Sequence, residues 1–224
     1  MSLPAIFDRE LEFDFHDDFF ENNTTRWTSI DDGATGTNAI SNTNGGWLNV
    51  VTAGANNDYH MNVSAAKSFA FSTTKNLVFQ SRIALTEAAT NVASWICGLT
   101  DTTTTGGLQT GTSGPLASFQ GAIFYKISGT QLIKFMVSTG STQSVNSTTW
   151  TFTSGTTYNL RFEFSKGDGT NGKIIPYVND SPGAAMTIPL SSYTGLMYAI
   201  YGVKAGSSSA ETFSIDLINI RGQR

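Results

Sequence analysis

The 224-residue chain has few charged side chains, no basic run and no long apolar run. Charged residues make up 13% of it, whereas globular proteins average about 25%. Without a run of Lys or Arg the chain has nothing to track a phosphate backbone, so we expect no nucleic-acid partner. No apolar stretch reaches the roughly 18 residues that a transmembrane helix needs, so we expect no membrane partner.

The chain also has a single cysteine, Cys97, which excludes an intrachain disulfide. It lies in the apolar run 95–99, where a thiol packs as a small hydrophobe. The two histidines, His16 and His60, have no cysteine or second histidine at ligand spacing, so we predict no zinc site and no catalytic thiol. The first residues lack the basic and apolar regions of a signal peptide, so we expect the protein to be made in a cytoplasm.

Good helix formers are scarce, and the chain is rich instead in small polar residues and aromatics. Thr (31), Ser (24), Asn (16) and Gly (22) together make 93 of the 224 residues. Fifteen Phe, seven Tyr and four Trp supply enough apolar surface for a core. Such a composition excludes a long helical bundle and wholesale disorder, and it favours a β-rich domain.

Alternation of apolar and polar residues with period two predicts strands along most of the chain. The clearest cases are 11–16 and 158–164. The segments 123–127 and 132–137 predict a hairpin, with Gly129 supplying a positive φ in the connection. Further strands are predicted at 47–51, 58–63, 67–71, 77–85, 92–99, 173–179, 196–203 and 212–220.

These strands predict an all-β fold with two antiparallel sheets packed as a jelly-roll sandwich. No internal repeat or linker divides residues 11–224, which we predict to be a single domain preceded by an N-terminal arm at 1–10. The polar segment 101–118 is the largest predicted insertion and is expected to be a surface loop or a mobile flap.

Charge is distributed unevenly along the chain. Residues 1–32 hold nine carboxylates and two arginines, a net charge of −7, whereas the rest carries +3. We predict that this acidic segment contacts a basic surface of a neighbouring subunit; the alternative is a solvated arm. The residues predicted for the intersubunit contact are Asp8, Glu10, Glu12, Asp14, Asp17 and Asp18.

Several segments, taken in order, resemble a known family. They are Phe15-His16-Asp17-Asp18-Phe19, Trp27, Gly98-Leu99-Thr100-Asp101-Thr102-Thr103, Gly121-Ala122-Ile123-Phe124-Tyr125-Lys126 and the ending Ile215-Asp216-Leu217-Ile218-Asn219-Ile220. The chain resembles the concanavalin A/laminin-G type of jelly roll and, more narrowly, jelly-roll head proteins of tailed-bacteriophage virions, over roughly residues 11–222.

The resemblance implies a structural virion protein, a capsid decoration (cement) subunit on the outer surface of a phage head. Its partners would be the major capsid protein and copies of itself, with a homotrimer as the expected assembly. A carbohydrate-binding, lectin-like module of a phage fibre or adhesin is the alternative, with a glycan as ligand. It would use exposed aromatics if Trp27, Trp47, Trp95 and Trp150 surfaced together, although packing in the core is the expectation for each.

Two segments are candidates for other chemistry. The stretch 12–17 is similar to the Glu-x-Asp-x-x-Glu strand motif of glycosidases on this fold. Its last acid, Asp17, is however one residue out of phase with the strand face that Glu12 and Asp14 share. We therefore interpret it as an acidic strand face and predict no catalytic residue and no enzyme activity. In 166–173, Asp168 and Asn171 offer too few oxygens for calcium, which takes about six to eight. We predict a turn there, and no metal or cofactor.

Overall fold

The computed structural model describes residues 12–32, 36–41, 46–103, 114–115, 118–140 and 142–223. Nearly all of the regular structure in them is β-strand, joined by one 3-10 turn at Leu190–Ser192. The strands are β1 (Glu12–Asp17), β2 (Trp27–Asp31), β3 (Thr37–Ser41), β4 (Trp47–Val51), β5 (Tyr59–Ser64), β6 (Leu77–Thr86), β7 (Ala93–Thr100), β8 (Gln120–Lys126), β9 (Leu132–Thr139), β10 (Gln143–Val145), β11 (Trp150–Thr151), β12 (Thr157–Ser165), β13 (Asn171–Val178), β14 (Ser181–Pro182), β15 (Met186–Pro189), β16 (Tyr198–Ala205) and β17 (Thr212–Gln223).

The strands form two antiparallel sheets, which confirms the predicted fold class. Sheet A has the order β14-β13-β12-β6-β17-β4-β3, with β1 beside the second half of β17 and β15 beside β13. Sheet B has the order β10-β9-β8-β7-β16-β5-β2, with β11 beside β9. The chain therefore crosses repeatedly between sheets, as a jelly roll requires.

The main core lies between the two sheets and is dominated by aromatic side chains. Phe79 and Phe162 stack with ring centroids 5.0 Å apart, and Trp27 packs edge-on against Tyr201 at 4.8 Å. Each of these rings is buried. Burying one such side chain contributes roughly 1.5–3 kcal/mol to stability. The alternation of apolar residues in the sequence thus marks the side chains whose burial stabilises the fold.

The outer face of sheet B carries a second apolar cluster. Met61, Ile96, Ile123 and Met136 are buried there, on the side of the sheet away from the main core. Burial also raises the pKa of Tyr125 to about 12. Most of the predicted insertion 101–118 lies outside the described residues. Its described residue Gly114 lies against this cluster, since an added Cβ there would be 3.7 Å from Tyr125 Cε2.

One predicted strand is wrong and several short ones were not predicted. In 67–71 only Phe69 pairs, through an isolated bridge to Met197. The alternating apolar residues of this segment predicted a strand, and two of them, Phe69 and Phe71, are indeed buried in the core. The unpredicted strands β2, β3, β10, β11, β14 and β15 are short, lie toward the sheet edges, and contain too few apolar residues to show alternation.

The turns follow the predictions more closely. Gly129 has φ +86°, as the hairpin between β8 and β9 requires. In 166–173, the Asp168 carboxylate accepts the backbone N–H groups of Thr170 and Asn171, at 2.9 and 2.8 Å. This closes a tight turn between β12 and β13, as predicted. Cys97 is buried, and burial raises its pKa to about 12.

Candidate functional site

Several loops meet at one end of the sandwich, which we call the loop end: 52–58, 87–92, 127–131, 152–156 and 206–211. Strand register brings them together. Thr212, the first residue of β17, pairs with both Val51 and Thr86, the last residues of β4 and β6. Ala205, the last residue of β16, pairs with Ala93, the first of β7. Residues far apart in sequence therefore meet here.

An open pocket of about 390 Å³ lies at the loop end. Its wall combines one carboxylate, two amide side chains, hydroxyl groups and an aromatic ring. The lining residues are Glu87, Ala88, Ala89, Thr90, Asn91, Gln131, Phe152, Thr153 and Ser154. We call this the loop-end pocket. Its volume lies within the range of about 300–1,000 Å³ that is typical of small-molecule sites.

A buried ion pair lies at the wall of the loop-end pocket. Lys126 Nζ donates to Glu87 Oε1 at 2.7 Å and to the carbonyl oxygen of Ala93 at 2.8 Å. The side chains are 0% and 2% exposed. The ammonium group also lies 5.2 Å from the centroid of the Phe152 ring. Desolvation lowers the pKa of Lys126, and attraction to Glu87 and Glu211 opposes this effect.

Two backbone amides and a second carboxyl group surround the pair. Ala93 N–H donates to Glu87 Oε1 at 3.0 Å, and Asn91 N–H donates to Oε2 at 3.3 Å. Glu211 is fully buried and accepts Ala88 N–H at 2.9 Å through Oε2, while its Oε1 has no hydrogen-bond partner among the described residues. Desolvation raises the pKa of Glu211, and repulsion from Glu87 adds to the effect.

A third carboxyl group, Asp58, is buried beside the loop end, where β5 begins. It is 1% exposed. Burial raises its pKa to about 6, helped by a hydrogen-bonding interaction with the Asp32 carboxyl and by repulsion from Asp32 and Asp31. Lys204 lies on the same side; burial lowers its pKa, and Asp32 opposes this.

The lateral edge next to Asp58 is closed by a network of side chains that joins the sheets. Asn38, from sheet A, donates to Asn62 Oδ1 at 2.8 Å and accepts from Asn62 Nδ2 at 3.1 Å. His60 contacts Asn38 Oδ1 through Nε2 at 3.0 Å and Asp31 through Nδ1. With its ring 3% exposed and both nitrogens engaged, His60 has a structural position.

The residues predicted for an intersubunit contact differ in exposure where the structure describes them. Asp8, Glu10 and the side chain of Glu12 lie outside the described residues. Asp14 is exposed and accepts from Asn219 at 3.1 Å, and Asp18 is half-buried. Asp17 is buried; it accepts Trp27 Nε1–H at 2.7 Å and Phe19 N–H at 3.0 Å, within its own chain. The intersubunit contact remains a prediction.

The tryptophans do not surface together. Trp27 and Trp95 are buried in the core, as expected. Trp47 is half-buried on the outer face of sheet A with the Arg82 guanidinium 5.4 Å from its ring centroid, and Trp150 packs partly against the core. A sugar-stacking platform built from all four is therefore wrong.

Sequence reasoning missed the cluster of Lys126, Glu87 and Glu211. One signal was present: Lys126 follows Ala122 and Phe124 at period two, so the alternation places a charged residue on the inward face of β8. Glu87 and Glu211 lie one residue beyond the paired Thr86 and Thr212. Their proximity depended on that register, which the sequence did not show.

Among the described residues, no group of three His, Cys, Asp or Glu side chains is arranged to hold a metal ion. No helix in that part of the chain is long and apolar enough to cross a membrane.

Comparison with solved structures identifies the fold at low sequence identity. A protein of unknown function from Shewanella oneidensis MR-1 is similar with a TM-score of 0.58 and 12% identity, over 99% of this chain and 97% of that one. Peanut lectin is similar with a TM-score of 0.65 and 10% identity, over 94% and 97%. The carbohydrate recognition domain of Emp46p is similar with a TM-score of 0.62 and 10% identity, over 91% and 94%.

These likenesses show a lectin-like, concanavalin A-like β-sandwich, and at such identity they show the fold alone. No protein-family model and no curated protein matches the sequence.

Proposed function

We propose that the protein is a lectin-like carbohydrate-binding module that binds its glycan in the loop-end pocket and does not cleave it. The observation that supports this most is the composition of the pocket, on a fold that peanut lectin and a carbohydrate recognition domain share. The alternative function raised by the sequence is thus better supported than the capsid role.

The chemistry of the pocket suits a neutral sugar. A sugar ring presents hydroxyl groups at its edge and C–H groups on its faces, so it needs polar partners next to an apolar surface. Asn91 and Gln131 offer side-chain amides, and Thr153 and Ser154 offer hydroxyls. The exposed Ala88 and Ala89 offer the apolar surface, above the buried ring of Phe152.

Removing the two amide side chains is expected to weaken glycan binding. In Gln131→Ala and Asn91→Gly we expect about a tenfold rise in Kd each, which corresponds to about 1.4 kcal/mol. Glycine is the right replacement at 91 because Asn91 has φ +62°. Calorimetric titration with the best ligand from a broad glycan array measures the effect.

Thr142→Ala is the matched control, because Thr142 lines a separate groove of about 330 Å³ between β9 and β15. We expect its Kd to equal that of the unmodified protein. If the array shows no glycan bound by the unmodified protein, the proposed function is wrong. If Thr142→Ala weakens binding and the other two variants do not, the glycan site is the groove instead.

A second proposed function is the capsid decoration subunit that the family resemblance implies, located on the virion surface with the major capsid protein and further copies as partners. The observation that favours it is the exposed acidic edge of sheet A, where Asp14 and His16 both contact Asn219 on the outer face. Among the described residues Asp14 and His16 are exposed, which suits contact with a basic surface. Electron microscopy of purified phage particles is expected to show trimeric density on the head, and a bare head surface would contradict this function.

A further inference from the structure

Lys126, Glu87 and Glu211 form an enclosed group of ionisable side chains at the loop end. Lys126 and Glu211 have no solvent exposure, and the Glu87 side chain has almost none. Lys126 Nζ lies 2.7 Å from Glu87 Oε1, which places it at most about 4 Å from the carboxyl carbon by bond lengths. An amine and a carboxyl group are thus held at reacting distance away from bulk water.

We propose that Lys126 and Glu87 condense to an intrachain amide, which links the last residue of β8 to the loop after β6. Glu211 acts as the positioning and proton-carrying group of this reaction. The link is a covalent modification of the protein by its own residues and is independent of glycan binding.

The reaction balances without an oxidant or a co-reactant. The ammonium of Lys126 first transfers a proton within the pair, which gives a neutral amine and a carboxylic acid. The nitrogen lone pair attacks Glu87 Cδ and forms the C–N bond. The C–O bond to one oxygen then breaks, and the second amine proton leaves with that oxygen as water. The products are one amide and one water, and the neighbouring loop-end pocket gives the water a way out.

The surroundings of Glu87 favour each stage. Burial favours the neutral amine over the ammonium, as the lowered pKa of Lys126 indicates. The N–H groups of Ala93 and Asn91 point at the two carboxyl oxygens, where negative charge develops when the carbon becomes tetrahedral. Such fixed donors are most effective in an enclosed, water-poor site.

Glu211 is placed to carry protons for the pair. The register that pairs Thr86 with Thr212 sets Glu87 and Glu211 beside each other at the end of the ladder. Its Oε1 is buried without a hydrogen-bond partner in the described structure, so it has a free position from which to give or take a proton. Burial raises its pKa, which keeps the acid form available.

Intact-mass measurement of the full chain tests the proposal directly. We expect a species lighter than the sequence mass by about 18 Da, one water, and a joined tryptic peptide that contains both Lys126 and Glu87. Lys126→Met is expected to show no loss. Glu211→Gln keeps an acceptor for Ala88 N–H but cannot carry the proton, so its mass loss is expected to be at least tenfold slower, with circular dichroism confirming the fold.

Glu163→Gln is the matched control, since Glu163 is an exposed partner of Arg161 on sheet A; it is expected to condense like the unmodified protein. Succinimide formation at the Asp168-Gly169 pair would also release a water. The joined tryptic peptide distinguishes the amide between Lys126 and Glu87 from that product. Persistence of the loss in Lys126→Met would overturn the proposal. So would an unchanged mass of the folded, unmodified protein after prolonged incubation.

Discussion

Replacing Lys126 with methionine is expected to lower the free energy of unfolding by about 3–5 kcal/mol, the usual cost of removing one partner of a buried ion pair. Methionine fills a similar volume, so the loss comes from electrostatics rather than from a cavity. It leaves the Glu87 carboxylate buried with only the N–H groups of Ala93 and Asn91 as partners. Urea denaturation, followed by tryptophan fluorescence, measures the change.

The double variant Lys126→Met/Glu87→Gln separates the charge from the packing. With both charges removed, no uncompensated ion remains, so most of the lost stability is expected to return. An amide between the two residues would add to the cost of Lys126→Met, because the variant loses a cross-link as well. A cost below about 1 kcal/mol for Lys126→Met, typical of an exposed pair, would contradict the enclosed position of this ion pair.

The sandwich was predictable because its central strands follow a rule that the sequence displays. In β6 and β12 every second residue is buried, and in β17 the alternation holds on either side of a register shift between Ile215 and Leu217. Period two was therefore visible in the residues alone. The alternation of buried and exposed residues is weaker in the edge strands. Strands such as β3 and β10 bury little, and their place depends on pairing with a neighbour rather than on their own apolar residues.

The segment 67–71 shows the opposite failure. Phe69 and Phe71 have the spacing of a strand and do enter the core. The backbone there pairs with only one residue, Met197, because the segment passes between elements rather than along a sheet. Apolar alternation reports which side chains are buried; whether the backbone joins a ladder is decided by the neighbouring chain.

The candidate site was less predictable because its residues meet only through long-range register. Lys126 is a charged residue at an inward-facing position of β8, which the sequence shows. Its partners, however, come from the loops after β6 and before β17. The acidic N-terminal segment was conspicuous in the sequence, yet Asp17 proves to be a partner for Trp27 and Phe19 in its own chain. Net charge along the chain gave no information on which carboxylates are buried.

The loop end concentrates buried carboxyl groups that are costly to ionise. Glu211 and Asp58 both have raised pKa values, with burial as the main cause in each. A protein optimised for stability alone would carry amides or apolar residues at these positions. Glu211 also accepts the N–H of Ala88, which lines the loop-end pocket, so these carboxyl groups support the loop end as the functional end of the sandwich.

Asp58→Asn is expected to stabilise the protein above about pH 6 and to leave its stability unchanged below about pH 4. The folded state holds the Asp58 proton up to a pKa of about 6, whereas the unfolded chain releases it near the ordinary aspartate pKa of 3.8. The native state therefore binds more protons between these values, and the stability of the unmodified protein falls as the pH rises through them. The full loss is at most about 3 kcal/mol.

Asparagine reproduces the neutral acid at every pH, with an amide that can donate to Asp32 as the protonated Asp58 does. Thermal melts at pH 4 and pH 8 measure the difference between the two proteins.

Asp168→Asn is the control with the opposite sign, because backbone N–H groups of Asn171 and Thr170 lower the pKa of Asp168. That stabilising contribution is present above the unfolded pKa and is lost as the pH falls through the folded one, which lies below 3.8. Asp168→Asn should therefore destabilise the protein at pH 8 and still do so at pH 4, where Asp58→Asn has no effect. Equal melting temperatures for Asp58→Asn and the unmodified protein at pH 8 would show that the Asp58 carboxylate is solvated rather than enclosed.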